Sequence, residues 1–228
     1  MPAVSAIIFG ARHLSPEHIQ GKRVIDVGAC DFNGSIRPLV ESWHPSEYIG
    51  VDIIEGPCVD IVCSADDLLA KFGPSSFDIV LSIEMLEHSR FWKKSISNMK
   101  QICKPGGQII LTTRSLGYPC HGYPNDFWRF GVEDMQEIFS DFDVAEIQSD
   151  YQAPGVFVTA TKPFEFQEKD LSNYPVYSIV TNTPKTDLVD DDFQSSYFFR
   201  LGLKQSIKHN ASSAFLWIGK QISNLFRI

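Results

Sequence analysis

The sequence predicts an α/β protein built on a mainly parallel sheet, and three observations predict it. Short β-branched runs alternate with helix-like stretches at a spacing that suits strand–helix–strand units. The run Phe77-Asp78-Ile79-Val80-Leu81-Ser82 is almost continuously apolar, as a strand covered on both faces must be. A glycine turn follows the first strand, and an acidic residue ends the second. Open α/β sheets bind ligands at that edge.

The elements follow in order. Lys22 to Val27 is a first strand, stopped by Gly28. Ser35 to Trp43 is a helix, with Ser35 at its cap and Ile36, Leu39 and Val40 on one face. Tyr48 to Ile53 is a second strand and Asp60 to Cys63 a third. Leu68 to Phe72 is a short helix closed by Gly73-Pro74. After the apolar fourth strand, a helix spans about Phe91 to Cys103 and ends at Lys104-Pro105-Gly106-Gly107. Gln108 to Thr113 is the next strand, and Phe142–Ile147 and Val156–Thr161 are two late strands. These elements place one domain over residues 1–162. Residues 163–198, rich in Pro, Asn, Thr and Asp, are expected as an irregular connector. Residues 199–228 form a basic amphipathic helix, with Leu203, Ile207, Ala211, Ala214, Ile218, Ile222 and Leu225 at steps of three and four.

Composition narrows the function. The 228 residues carry a net charge of -8, which disfavours a general nucleic-acid binder. Five cysteines without a CxxC pair, and no signal peptide, fit reduced thiols in the cytoplasm. No stretch approaches the roughly 20 apolar residues of a membrane-spanning helix. No His, Cys or carboxylate cluster has metal-ligand spacing along the chain, so no metal is expected.

The turn Asp26-Val27-Gly28-Ala29-Cys30-Asp31-Phe32-Asn33-Gly34-Ser35 is the candidate ligand loop. Gly28 permits a sharp bend and Gly34 a close approach before the helix. Asp52, 24 positions after Gly28, can accept both hydroxyls of a ribose. A dinucleotide needs a second glycine where Cys30 stands, so a pyrophosphate ligand is disfavoured.

With these residues in place, the chain over about 20–162 resembles the class I S-adenosylmethionine-dependent methyltransferases, in particular their broad small-molecule "type 11" group. Val24-Ile25-Asp26-Val27-Gly28 is similar to the family's first motif, Asp52 to its ribose acid, and Asp66-Asp67 to its adenine-holding position. Phe77 to His88 is similar to the fourth-strand motif, and Lys104-Pro105-Gly106-Gly107 to the entry of the fifth strand. The resemblance implies a Rossmann-like, doubly wound, mostly parallel seven-stranded sheet with a C-terminal helical extension. It implies S-adenosylmethionine as cofactor, held by Asp26, Gly28, Ala29 and Gly34 around the methionine end. Asp52 and Ile53 would hold the ribose side, Asp66 and Asp67 the adenine, and Glu84 would stand near the sulfonium. The alternative for Asp66 and Asp67 is a helix cap and first-turn acid.

Methyl transfer to a hydroxyl usually needs a general base, which points to histidine. His121 and, second, His88 lie after strand ends. His121 belongs to the segment Tyr118 to Phe130, whose pattern is similar to segments of methyltransferases found beside glycan and natural-product biosynthesis genes. Tyr123, Asp126, Trp128 and Arg129 are its candidate substrate contacts. The alternative is that Asp126 and Arg129 pair with each other while Trp128 and Phe130 pack in the core. The expected activity is O-methylation of a small-molecule or glycan-like acceptor; the rival is a silent cofactor-binding scaffold or partner subunit. Residues 193–228 carry +5 and no acid, so the terminal helix either touches a membrane surface, docks on its own domain, or pairs two subunits as a homodimer.

Overall fold

A computed structural model of the protein describes residues 4–32 and 34–207. The chain opens with helices α1 (Val4–Arg12) and α2 (Pro16–Ile19), then β1 (Arg23–Val27), α3 (Arg37–Glu41), β2 (Glu47–Asp52) and β3 (Ile61–Val62). It continues with α4 (Leu68–Phe72), β4 (Phe77–Ile83), α5 (Trp92–Ile102) and β5 (Cys103–Arg114). The last elements are β6 (Trp128–Arg129), α6 (Val132–Ile138), β7 (Asp143–Ser149), β8 (Gly155–Thr161), β9 (Val176–Ser178) and β10 (Thr183–Lys185).

Seven strands form one sheet in the order β3-β2-β1-β4-β5-β8-β7. The first five run parallel; β8 pairs antiparallel with both β5 and β7. Alternate residues of each strand feed opposite faces. Val24, Tyr48, Ile79, Leu81, Ile110 and Phe157 join Ala6 and Phe9 of α1 and Val40 of α3 in one core. Ile25, Ile49, Val80, Ile109 and Val158 join Leu68, Trp92, Ile96, Met99 and Met135 of α4, α5 and α6 in the other. The apolar run of β4 is thus covered on both sides, which is why it lacks polar alternation.

The predicted elements are present, with differences that have physical causes. The α3 backbone begins two residues after Ser35, but the Ser35 hydroxyl still accepts from the Arg37 N–H at 3.1 Å. Lys104-Pro105-Gly106-Gly107 lies inside β5, where Gly106 N–H bonds Lys162 O at 2.8 Å. α1 and α6 were not foreseen. Segment 163–198 is more than a connector. Its β9 and β10 join β6 in a three-stranded antiparallel sheet, and Leu171, Val176, Val180, Leu188 and Phe198 enter the main core. Residues 196–207 are helical. The predicted apolar positions from Ala211 onward lie outside the described residues. Among the described residues no helix is long and apolar enough to cross a membrane.

Candidate active site

The strand order reverses between β1 and β4, and the loops after these two strands meet there. Gly28 closes β1 at φ +86°, and a Cβ on it would stand 2.5 Å from the Met85 side chain beyond β4. No other residue fits that contact. The N–H groups of Gly28 and Ala29 donate to Val51 O at 2.8 and 3.0 Å, tying the turn to β2. Asp52, ending β2, accepts from Cys30 N–H at 3.2 Å and from Ile54 N–H at 3.3 Å. Gly34, at φ +120°, donates to Asp31 Oδ1 at 2.6 Å and closes the loop. Ile53 is 65% exposed beside Asp52, an apolar side chain left open at the strand end.

Asp26 is buried, and one carboxylate oxygen accepts from the Tyr48 hydroxyl at 2.8 Å. Its other oxygen has no hydrogen-bond partner among the described residues. Burial pushes this carboxyl up to about 6, with the Tyr48 bond opposing the shift. Asp66 accepts from Ser95 Oγ at 2.7 Å, and Ser64 rather than Asp66 caps the short turn. Asp67 is exposed, 3.8 Å from Lys94 Nζ. An orphaned buried oxygen and a carboxylate at the rim of β2 fit a ligand with an ammonium group and a ribose. S-adenosylmethionine is such a ligand.

The other half of the site is built from side chains. Glu84, at φ +58°, is buried and ion-paired with Arg114 at the end of β5. Burial and the neighbouring Glu87 push the Glu84 carboxyl up, while Arg114 opposes. Arg114 also lies 3.5 Å from Asp150. Glu84 therefore faces a cation of its own chain. His88 and His121 come together with Nε2···Nε2 at 3.0 Å. The Nδ1 of His88 is 2.5 Å from Asn125 O, and the Nδ1 of His121 is 3.0 Å from Asp126 Oδ2. Asp126 is itself forked by Arg129 at 2.5 and 2.7 Å. Burial alone would raise the Asp126 carboxyl, but Arg129 and His121 hold it well below the usual carboxylate range. Glu87, fully buried, accepts from Thr113 Oγ1 at 2.8 Å and leaves its second oxygen beside both histidines.

The remaining candidates separate from this cluster. Asp126 and Arg129 are buried against each other, and Trp128 is fully buried with its indole N–H on Ser89 O and Arg90 O. These three occupy the packed arrangement that was the alternative to substrate contact. Tyr123 stacks 4.8 Å from Phe198 and fills the space over Gly202 in the terminal helix. Tyr118, whose ring is 5.1 Å from that of His121, also lines a groove of 520 Å³ to which neither histidine contributes. Tyr118, Tyr177, Asn182, Tyr197 and Leu201 line it. Another hollow, of 590 Å³, is lined by Lys93, Lys94, Lys169 and Asp187 and shares no residue with these strand ends.

Sequence reasoning missed Glu87, Asn125 and Arg114 as site residues. The available signal was the pair Glu84 and Glu87 directly before His88, two carboxylates and an imidazole on one tight turn. The expectation of no metal-ligand cluster rested on chain spacing. The structure brings Glu87 and His88 together with His121, 33 positions beyond His88, with ligand atoms within 4.8 Å of one another.

Comparison with known proteins agrees with the fold. Residues 7–154 match a family described as a methyltransferase domain. Over 106 residues the chain is 32% identical to a ubiquinone biosynthesis O-methyltransferase of Idiomarina loihiensis, covering 41% of this chain and 42% of that protein. The chain thus spans less than half the length of that curated relative. In structure it is similar to the Burkholderia thailandensis 1,6-didemethyltoxoflavin-N1-methyltransferase, solved with its substrate and S-adenosylhomocysteine. That match has a TM-score of 0.55 at 17% identity, over 71% of this chain and 78% of that one. A Haloferax volcanii methyltransferase solved with the Trm112 activator matches with a TM-score of 0.56 at 18% identity, over 73% and 90%. At such identities these two similarities establish the fold.

Proposed function

The chain belongs to the methyltransferase-domain family with the class I fold, and from that premise we propose that it transfers a methyl group from S-adenosylmethionine to a hydroxyl oxygen of a small acceptor. When bound, the cofactor supplies an electrophilic methyl carbon on a sulfonium. Gly28 and Ala29 form the turn that receives its methionine end, and the free Asp26 oxygen is suited to the ammonium group. Asp52 is suited to the ribose, with Ile53 beside it. Asp66 is suited to the adenine amino group, and Asp67 beyond it is exposed.

The observation that carries the oxygen acceptor is the histidine pair. An Asn125 carbonyl can only accept, and an ionised Asp126 can only accept, so both Nδ1 atoms carry their protons. With both Nδ1 atoms protonated, the facing Nε2 atoms, 3.0 Å apart, can take up one hydroxyl proton and share it between the two rings. Asp126 and Arg129 orient His121 as a buried carboxylate orients an imidazole base. The groove that Tyr118 and Cys120 share mixes three tyrosine rings with Asn182. Such a lining suits a sugar-like or phenolic acceptor, which presents flat apolar faces and hydroxyl edges.

Methyl transfer from labelled cofactor to a panel of phenols and sugars tests this, alongside calorimetry with S-adenosylhomocysteine. Transfer to at least one hydroxyl is expected. His121→Ala is expected to lower turnover ~10²–10⁴-fold with unchanged affinity for S-adenosylhomocysteine. Binding without transfer to any acceptor would leave the scaffold reading, and unchanged turnover in His121→Ala would remove the base.

A further inference from the structure

Three acceptor atoms converge beyond β4 and β5 with nothing between them. His88 Nε2 and His121 Nε2 are 3.0 Å apart, and Glu87 Oε1 is 3.9 and 3.7 Å from them. With both Nδ1 protons held by Asn125 O and Asp126, the two Nε2 atoms present lone pairs to each other. Glu87 is fully buried and leaves Oε1 without a hydrogen-bond partner. Three facing acceptors repel one another, and a buried carboxylate oxygen without a partner is costly. A cation at their centre removes both penalties.

We infer that Glu87, His88 and His121 form a binding site for a divalent transition-metal ion of the zinc class. Atoms separated by 3.0, 3.7 and 3.9 Å lie on a circle of radius about 2.1 Å, the length of a zinc–nitrogen or zinc–oxygen bond. Two imidazoles and one carboxylate are a zinc-type donor set with a position left open, and two nitrogen donors disfavour magnesium. The supporting shell is also present. His88 Nδ1 is anchored by a backbone carbonyl, His121 Nδ1 by a carboxylate, and Glu87 Oε2 by the Thr113 hydroxyl. The imidazoles are 31% and 26% exposed while Glu87 is closed off, so an ion would have one accessible side. An oxygen ligand could enter there. With an ion bound, both Nε2 lone pairs would be on the metal, so an entering acceptor hydroxyl would lose its proton to solvent rather than to His121; that role rests on the function proposed above, the ion binding does not.

The test uses the full chain, stripped with a chelator, and titrates Zn²⁺ by calorimetry without cofactor; Co²⁺ then replaces it for visible spectroscopy. One ion per chain is expected, with cobalt bands that lack a thiolate charge-transfer feature. Glu87→Gln and His88→Ala are each expected to weaken Zn²⁺ binding by ~100-fold or more, and Asp126→Asn by ~10–100-fold. His88→Ala removes a partly exposed ring, so it reports even where the Glu87 variant fails to fold. Stripped protein that binds S-adenosylhomocysteine but neither metal overturns the inference, as does unchanged affinity in His88→Ala. A thiolate band also overturns it, because the ion would then sit on the free cysteines. Metal binding without cofactor binding would instead sink the methyltransferase reading and leave this site standing.

Discussion

The two halves of the cleft are built by different means. Around β1 and β2 the ligand loop is mostly backbone: Gly28 and Gly34 at positive φ, main-chain N–H groups on Val51 O, and Asp52 gathering two more. Beyond β4 and β5 the work falls to side chains. Glu84 meets Arg114, Arg129 meets Asp126, Asp126 meets His121, and His121 meets His88. A backbone cradle depends on local conformation and tolerates variation in the residues around it. A buried ionic chain depends on every member, since removing one leaves its partner's charge without compensation.

That contrast can be broken by experiment, and the largest expected effect lies in the ionic half. Asp126→Ala strands a buried guanidinium and is expected to cost ~3–5 kcal/mol in urea unfolding at pH 7. The native carboxyl sits below its ordinary value of 3.8. Its contribution is therefore present above about pH 4 and lost as the pH falls further, so the penalty should shrink in acid. An Asp126→Ala protein as stable as the parent would mean the network is ornamental. In the backbone half, Gly28→Val puts a β-branched residue at φ +86° with its Cβ on Met85 and is expected to strain the turn as well as the site. It should weaken S-adenosylhomocysteine binding by roughly 100-fold, or about 2.7 kcal/mol, because the new Cβ meets Met85. Unchanged affinity by calorimetry would move the cofactor away from this turn.

The smallest effect sharpens the border between the halves. Asp26 is the one strongly raised carboxyl on the cofactor side, at about 6 against an ordinary 3.8. Its favourable contribution is complete below pH 4 and is lost as the pH rises through 6. Asp26→Asn, keeping the Tyr48 contact, is expected to stabilise the ligand-free protein by ~1–3 kcal/mol at pH 8 and not at pH 4. Thermal melts at the two pH values check it. Cofactor-product affinity should fall in the same variant. A gain in stability without any loss of affinity would assign Asp26 to the fold alone.

What the sequence determined by itself is the parallel core and the ligand edge. Strand residues that alternate between two covered faces leave an apolar run such as Phe77–Ser82. A glycine turn needs a glycine at one defined place, and Asp52 follows at the end of the neighbouring strand. These are local requirements, so local residues display them. Segment 163–198 shows the opposite case, because its Pro- and Asp-rich composition hides β9 and the buried Leu171, Val176 and Phe198. Only the tertiary structure decided that Glu87, His88 and His121 share one centre, and that Trp128 and Arg129 point inward. Those outcomes depend on contacts between residues 33 or more positions apart or on long-range packing. Chain spacing carries no record of such contacts, since the energy that selects them arises only when the strand ends are brought side by side.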